Sequence, residues 1–168
     1  GTYLTSSSNN ILDNLKITTL NATGIYIDTT NLTTIINPNI TTNLSAIIDT
    51  TDNTYTNYLI FNNTFGEIRW TNTNNSGFLK NLTITQPNLS LDDAYVQIKN
   101  NSVYVNSVYY ATPTKINSSA NITLYGLGTY TNPVIYMDGN IVCNETTTPS
   151  CYNFTSLNAG TVRFNVSS

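Results

Sequence analysis

NSSANIT, residues 117–123, holds two Asn-x-Ser/Thr sequons within seven residues and opens a regular alternation of polar and apolar side chains. Ile122 and Leu124 alternate with Asn121 and Thr123. In a β-strand, side chains two positions apart share one face, whereas the side chain between them points to the other face. The alternation therefore predicts a half-buried strand.

The same two-residue period recurs around residues 82–85, 96–99, 103–106 and 161–166. Asp138-Gly139, between VIYM and NIVC, is a type I′ hairpin signal. From about residue 55 onward, turn signals follow one another every 8–12 residues or so, which is typical of a sandwich. We therefore predict an all-β fold, an antiparallel Ig-like or pilin-like β-sandwich with an extended N-terminal tail.

The first part of the chain differs in residue pattern from the rest. A polar segment, GTYLTSSSNN, precedes short apolar patches separated by Thr and Asn. We predict an N-terminal tail over residues 1–24 and a β-sandwich over 25–168. Within the sandwich, residues 25–54 supply the first strands and 55–168 form the Ig-like portion. A short helix through Ile11, Leu12 and Leu15 is the alternative to strand alternation near the N-terminus.

Sequons are about twice as frequent as chance predicts, since they use 14 of 28 asparagines whereas Ser and Thr make up 44 of 168 residues. This excess predicts a secreted or cell-surface protein with N-linked glycans. The alternative is that an Asn/Thr-rich composition produces sequons as a by-product. The predicted N-glycosylation sites are Asn21, Asn31, Asn39, Asn43, Asn62, Asn74, Asn81, Asn88, Asn100, Asn117, Asn121, Asn144, Asn153 and Asn165.

The sequons and the strand alternation are the same pattern. A sequon on a strand places Asn and Ser/Thr outward and the middle residue inward. That middle residue is apolar in nine of the 14 sequons. The nine are Ala22, Leu32, Ile40, Leu44, Leu82, Leu89, Ile122, Phe154 and Val166.

The charge pattern excludes several partners. Only 9% of residues are charged, there is no His, and the net charge is −3. Six Lys and Arg residues form no basic patch for nucleic acid. No apolar run approaches the roughly 18 residues of a membrane span. We take Gly1 as the start of a mature extracellular chain whose signal peptide has been removed.

Cys143 and Cys151, in CNETTTPSC, are the only two cysteines. In a secreted chain such a pair predicts a disulfide. The alternatives are a metal pair or a redox motif, but the chain offers no further Cys or His ligands and the spacing is not CxxC.

We expect no enzymatic activity and no cofactor. A nucleophilic triad needs a base, usually His, and the chain has none. Two acid pairs remain as candidates for carboxylate chemistry or cation binding, Asp49 with Asp52 and Asp92 with Asp93.

Two further possibilities stay open. A stacked aromatic surface for sugars could form from Tyr104, Tyr109, Tyr110, Tyr125 and Tyr130, although strand and core filler is the simpler role for these rings. A buried Lys beside Asn or Asp could form an isopeptide crosslink, for which the candidates are Lys16, Lys80, Lys99 and Lys115.

At SANITLYG (119–126), NPVIYMDGNIVC (132–143) and AGTVRFNVSS (159–168) the chain resembles small Ig-like β-sandwich domains of archaeal surface proteins. This similarity covers about residues 55–168. The Asn/Thr-rich, His-free and sequon-dense character of the whole chain resembles the thread-type pilus subunits of thermoacidophilic archaea.

In that family, the N-terminal tail of one subunit completes the sandwich of its neighbour. The resemblance implies identical subunits in a head-to-tail polymer, with residues 1–24 as the donor strand and Ile11, Leu15 and Ile17 as its inward set. A sandwich that lacks a strand exposes unpaired backbone groups, which an added strand satisfies. A head-to-tail contact that does not close makes a fibre. The expected function is a filament subunit for adhesion or biofilm.

The alternative function is a monomeric cell-surface or S-layer-associated module that binds glycans or acts as an adhesin. In that case the segment 1–54 folds back into the protein's own sheet. A detached segment 1–24 favours the filament, whereas an aromatic cluster beside an Asp in a groove favours the binding module.

Overall fold

The computed structural model describes residues 1–50, 55–70, 79–80, 82–91, 94–106, 108–109, 116 and 118–167. These ranges hold strands and turns and no helix, which confirms the all-β prediction. Several sheets are present, an arrangement compatible with a β-sandwich, but an Ig-like strand order is not confirmed.

The first eight strands wind into a coil with three parallel ladders, which we call the parallel coil. Its ladders are β1-β4-β7, β2-β5-β8 and β3-β6. The strands are β1 (Thr2–Thr5), β2 (Ile11–Asp13), β3 (Lys16–Thr19), β4 (Ile25–Asp28), β5 (Asn31–Ile36), β6 (Asn39–Thr42), β7 (Ile47–Asp49) and β8 (Tyr55–Asn63).

The first two turns of the parallel coil keep one register. Thr2 lies opposite Ile25, Ile11 opposite Thr34 and Lys16 opposite Asn39, so the separation along the chain is the same in all three ladders. The sequence carries this period as well, and it repeats residues in six aligned pairs. These are Gly1/Gly24, Tyr3/Tyr26, Asn14/Asn37, Ile17/Ile40, Thr18/Thr41 and Thr19/Thr42.

The corners between strands follow the same period. Positive φ values recur at the constant sequence separation of 23, at Ser6 and Thr29 (48° and 51°) and at Asn14 and Asn37 (51° and 44°). Asn tolerates this left-handed conformation better than most residues do. The Asn37 side chain donates a hydrogen bond to Asn62 Oδ1 (2.8 Å) and accepts one from the Asn62 backbone N–H (2.8 Å). An asparagine ladder therefore ties consecutive turns of the coil together.

The interior of the coil is filled mainly by isoleucine. Small β-branched side chains suit parallel strands that pack on their inner face, because their χ1 angle is already restricted. Among the coil side chains that the structure describes, four polar ones are also buried, namely Thr30, Thr33, Thr42 and Asp49. The fully buried isoleucines of the coil include Ile25, Ile27, Ile35, Ile40 and Ile47.

The remaining strands are antiparallel. They are β9 (Gly66–Trp70), β10 (Leu79–Lys80), β11 (Asn88–Leu89), β12 (Val96–Lys99), β13 (Ser102–Val105), β14 (Ala120–Leu124), β15 (Ile135–Met137), β16 (Ile141–Cys143), β17 (Cys151–Asn153) and β18 (Val162–Val166). Strand β11 adds to the third ladder of the coil, beside β6. Two hairpins, β12-β13 and β15-β16, form separate two-stranded sheets.

Strand β8 joins the two halves. It pairs in parallel with β5 and antiparallel with β9, which continues the order β17-β18-β14-β9-β8-β5-β2 across the largest sheet. Behind this sheet, Trp70 meets Phe61 edge-on, with ring centroids 6.1 Å apart, and Trp70 Nε1 donates a hydrogen bond to the Ile116 carbonyl oxygen (2.9 Å). A second apolar cluster forms around Ile122, Leu124, Val162 and Phe164.

Residues 1–24, predicted as an extended N-terminal tail and candidate donor strand, pair with other strands of the same chain. These residues form β1, β2 and β3, each hydrogen-bonded to a strand of the next coil turn in the same chain. The predicted inward set does not share a face, because a turn at Asn14 separates β2 from β3. Ile17 is buried, Leu15 is half-buried and Ile11 is 69% exposed. In the sequence, the two-residue alternation continues through Asn14, so the alternation does not predict this turn.

A substitution at Gly24 tests how closely the coil corner around this residue is packed. A Cβ at this position would overlap Ile40 Cγ2 and lie 2.5 Å from the Ala46 carbonyl oxygen. Gly24→Ala should lower the free energy of unfolding by about 1–3 kcal/mol, because the corner must move to admit the methyl group. Gly128→Ala is the matched control, since a Cβ there meets nothing within 4 Å. Urea unfolding of the two variants checks this, and equal stabilities would contradict it.

Asn37 tests the asparagine ladder. Asn37→Ala loses two short hydrogen bonds and places Ala at a positive φ, so we expect a loss of about 2–4 kcal/mol in the free energy of unfolding. Asn37→Gly loses the same bonds but adopts the positive φ readily, so its loss should be smaller. Thermal and urea unfolding separate the two contributions. If Asn37→Gly were as stable as the parent protein, the hydrogen bonds of the asparagine ladder would contribute nothing to stability.

Candidate functional site

The outer face of the largest sheet carries two polar rows. Thr123 on β14 lies opposite Arg163 of β18 on one side and opposite Glu67 of β9 on the other. Two residues along, Asn121 lies between Asn165 and Arg69 in the same way. Residues that lie opposite each other on neighbouring strands point to the same face of the sheet, and adjacent strands lie about 4.8 Å apart. The rows therefore span about 10 Å from β18 to β9.

These rows form the floor of a shallow, open groove of about 500 Å³. Tyrosines stand along it, Tyr58 on β8 and the exposed Tyr125 just after β14. The full lining is Tyr58, Glu67, Arg69, Asn121, Thr123, Tyr125, Thr161 and Arg163. We call it the sheet groove.

Arg69 is held in place within the sheet groove. Its Nε lies 3.0 Å from Glu67 Oε1, and its Nη2 donates a hydrogen bond to Glu67 Oε2 (3.2 Å). Its guanidinium carbon also lies 5.2 Å from the centre of the Tyr58 ring, a cation–π distance. The side chain is still 38% exposed, so the stacked guanidinium presents donors to solvent.

Arg163 is the less engaged of the two arginines. Its backbone N–H donates to Thr155 Oγ1 (2.8 Å), and its carbonyl oxygen accepts hydrogen bonds from the N–H groups of Phe154 and Thr155. These bonds fix the backbone, whereas the residue as a whole is exposed. Among the described residues, the only ion pair is that between Arg69 and Glu67. The Arg163 guanidinium therefore enters no ion pair in the described part of the chain.

Charge is concentrated in the sheet groove. Arg69 and Arg163 are the only arginines in the sequence, and Glu67 is one of only two glutamates. Two cations and one anion leave a local charge of +1 in a chain whose net charge is −3. A chain with so few charges places three of them on one face.

Three predicted glycosylation sites also lie on this outer face. Asn165 Nδ2 donates to Asn121 Oδ1 (2.9 Å) and to the Ala120 carbonyl oxygen (3.2 Å). Asn62 belongs to the asparagine ladder through Asn37. All three sequon asparagines, 62, 121 and 165, are half-buried rather than exposed.

The other described sequons are more open. Seven asparagines are exposed, namely Asn21, Asn39, Asn43, Asn88, Asn100, Asn144 and Asn153. Asn74, Asn81 and Asn117 lie outside the described residues, and Asn31 is described for its backbone only. The predicted inward middle residue is buried in four sequons, at Ile40, Leu82, Leu89 and Ile122. Leu44 and Phe154 are instead about half exposed, because they lie outside strands.

The predicted disulfide between Cys143 and Cys151 is confirmed. The sulfurs are bonded and the Cα atoms lie 5.5 Å apart. The bond connects the β15-β16 hairpin to the edge strand β17 of the largest sheet. It therefore anchors a hairpin that has no other strand beside it among the described residues.

The predicted tyrosine surface does not form as one platform. Tyr109 stacks on Tyr95 at 3.8 Å and packs against the core, whereas Tyr130 accepts a hydrogen bond from Asn101. Of the four predicted rings that the structure describes, only Tyr125 lines the sheet groove. Tyr110 lies outside the described residues, and Tyr104 is exposed on β13.

Where the structure describes them, the remaining candidates do not form a site. Lys16 and Lys99 are exposed, which does not suit a buried isopeptide crosslink, and Lys80 and Lys115 have no described side chain. Asp49 is buried in the coil, while Asp52, Asp92 and Asp93 lie outside the described residues. The described residues contain no group of three or more His, Cys, Asp or Glu that could hold a metal ion.

Sequence reasoning misses Tyr58, Glu67 and Arg69 as site residues. They are distant from Arg163 in sequence, and only the pairing of β8, β9, β14 and β18 brings them together. The hint that the sequence does offer is compositional. The chain has two arginines, and each occupies a polar position of an alternating strand.

No helix in the described part of the chain has the length and apolar character of a membrane-spanning segment. Comparison of the chain with known protein families, with curated proteins and with solved structures found no match.

Proposed function

We propose that this chain is an adhesion module of an extracellular surface protein and that its sheet groove binds acidic saccharides. The observation that carries the proposal is the placement of both arginines of the chain in one open groove beside Tyr58, Tyr125 and Glu67. Residues 1–24 fold into the protein's own sheets, which is the arrangement expected of the binding module rather than of a detached donor strand.

The shape and lining suit a saccharide. The groove is shallow and open, so it admits part of a polymer rather than enclosing a small molecule. Its floor presents amide and hydroxyl groups from Asn121, Thr123 and Thr161, which can donate to and accept from sugar hydroxyls. Tyr125 stands at its margin as an exposed aromatic ring on which a sugar could pack.

The charges favour an acidic sugar. An Arg guanidinium pairs with carboxylate or sulfate in a planar, two-bond geometry that neutral hydroxyls do not match. The Arg163 guanidinium enters no ion pair with a described residue, and Arg69 is positioned by Glu67 and Tyr58. Uronate or sulfated residues along a polymer would therefore bind across the two rows, in line with the local charge of +1.

Binding at one such groove is weak by itself, because exposed charge pairs contribute only about 0–1 kcal/mol each in water. Adhesion does not require a tight single site. Many modules presented on one surface bind a polymer together, and linkage raises the overall avidity by about 10²–10⁴. A shallow groove with fast exchange is compatible with this use.

The second candidate function is a filament subunit. In this case the contact between subunits would involve edge strand β17 rather than residues 1–24. Edge strand β17 pairs only with β18 among the described strands, and it exposes Tyr152 (54%) and Phe154 (52%) on or beside it. An unpaired edge with apolar side chains is suited to accept a strand from an identical subunit. The filament hypothesis predicts fibres when purified protein is viewed by electron microscopy, and uniform single particles at high concentration would contradict it.

The sheet groove is tested with dextran sulfate and sodium polygalacturonate as probes and unsulfated dextran as the neutral comparison. We expect the parent protein to bind both acidic polymers and not dextran, by isothermal titration calorimetry at low ionic strength. Arg163→Gln and Arg69→Gln should each weaken binding by up to about fivefold, since an exposed charge pair contributes about 0–1 kcal/mol. Added salt should weaken binding to the parent.

Two controls separate the groove from general charge attraction. Lys99→Gln removes an exposed cation outside the groove and should leave binding unchanged. Glu67→Gln should strengthen binding, because it removes the negative charge of the groove while Tyr58 still holds Arg69, whereas Glu145→Gln in the disulfide loop should have no effect. If Lys99→Gln weakened binding as much as Arg163→Gln, attraction would be unspecific and the sheet groove would not be the site.

A further inference from the structure

Two groups of sequons lie in contrasting parts of the described structure. Asn121 and Asn165 lie on the outer face of the largest sheet, in the middle of its polar rows. Asn39 and Asn88 begin β6 and β11, two neighbouring strands of the ladder β3-β6-β11 on another side of the coil. All fit the sequence pattern equally well, but their surroundings differ.

We infer that N-glycans are segregated: the ladder β3-β6-β11 and its adjoining corner carry them, whereas Asn121 and Asn165 remain unmodified. The first set is Asn21, Asn39, Asn43 and Asn88, which we call the glycan face. This inference does not rest on the proposed saccharide binding, because it follows from the hydrogen bonds and exposure of the asparagines themselves.

Asn165 is the site that the structure most clearly protects. Its Nδ2 uses both hydrogens, one toward Asn121 Oδ1 and one toward the Ala120 carbonyl oxygen. N-glycosylation replaces one of these hydrogens with the sugar, so at least one bond must break. Asn165 also lies between Tyr152 on β17 and Asn121 on β14. A sugar on Asn165 would have to extend past the side chains on both neighbouring strands.

Asn121 is protected by its neighbours on both sides. It accepts the hydrogen bond from Asn165, and Arg69 lies directly opposite on β9. Its side chain forms part of the floor of the sheet groove and is half-buried. A glycan here would fill the groove and separate Arg69 from solvent.

The asparagines of the glycan face are exposed, whereas Asn121 and Asn165 are half-buried. Asn39 and Thr41 of one sequon are both exposed on β6, while Ile40 between them is buried in the coil. Asn88 is exposed on the next strand, with its register partner Thr41 beside it. Asn21 and Asn43 are exposed in the corners that follow β3 and β6. A glycan on any of them extends into solvent without displacing a strand.

The experiment measures occupancy site by site. Protein purified from its native host is digested and analysed as intact glycopeptides by mass spectrometry. We expect glycopeptides at Asn39 and Asn88 and only unmodified peptides at Asn121 and Asn165. Glycan at Asn165, or bare asparagine across the glycan face, would overturn the inference.

A pair of matched variants gives an independent readout. Thr41→Ala destroys the Asn39 sequon, and Thr123→Ala destroys the Asn121 sequon, while both asparagines stay in place. Both threonines lie on outward strand faces. The mass of the secreted protein should fall by one glycan with Thr41→Ala and should change only by the substitution itself with Thr123→Ala. Loss of one glycan from both variants, or from neither, would contradict segregation.

Discussion

The backbone of β8 is hydrogen-bonded to two neighbours of opposite sense, with β5 running parallel to it and β9 antiparallel. A parallel ladder needs a long return of the chain between strands, whereas an antiparallel ladder needs only a tight turn. Strand β8 is where the chain changes from one to the other, through the turn after Asn63. Its side chains serve both faces of the sheet, because Leu59 and Phe61 are fully buried while Tyr58 lines the sheet groove. The coil, the antiparallel strands and the groove all depend on this strand.

The sequence predicts several antiparallel strands for a physical reason, although residues 82–85 form only an isolated bridge at Ile84 and not the predicted strand. Strands such as β14 and β18 bury one face and expose the other, so Ile122 and Phe164 alternate with polar neighbours. Strands of the coil show the same alternation, which does not distinguish parallel from antiparallel pairing. The repeat along the first two coil turns does make that distinction, because identical residues at a fixed spacing predict stacked turns. That signal is present in pairs such as Tyr3 and Tyr26, which stack with ring centroids 5.2 Å apart. A reading based on two-residue alternation alone does not detect it.

The candidate site is less accessible from the sequence. Period two predicts which residues of a strand point outward, and it does so correctly for Arg163 and Asn121. It does not predict which strands become neighbours, and the sheet groove depends on four strands that come from distant parts of the chain. The disulfide is predictable because its two cysteines have no alternative partner and lie close together in sequence. The sequence therefore predicts features formed by residues close together in the chain, such as the disulfide. It does not predict which distant residues come together in the sheet groove.

The constant register between the first two coil turns has a consequence for how such a chain changes length. A duplication of one whole repeat at the corner before Gly24 would add one complete turn, with isoleucine again inside and asparagine again at the corners. An insertion of a single residue within a strand would instead move every following side chain of that strand to the opposite face. Between the first two turns, growth by a whole repeat would therefore preserve which side chains point inward, whereas growth by one residue would not.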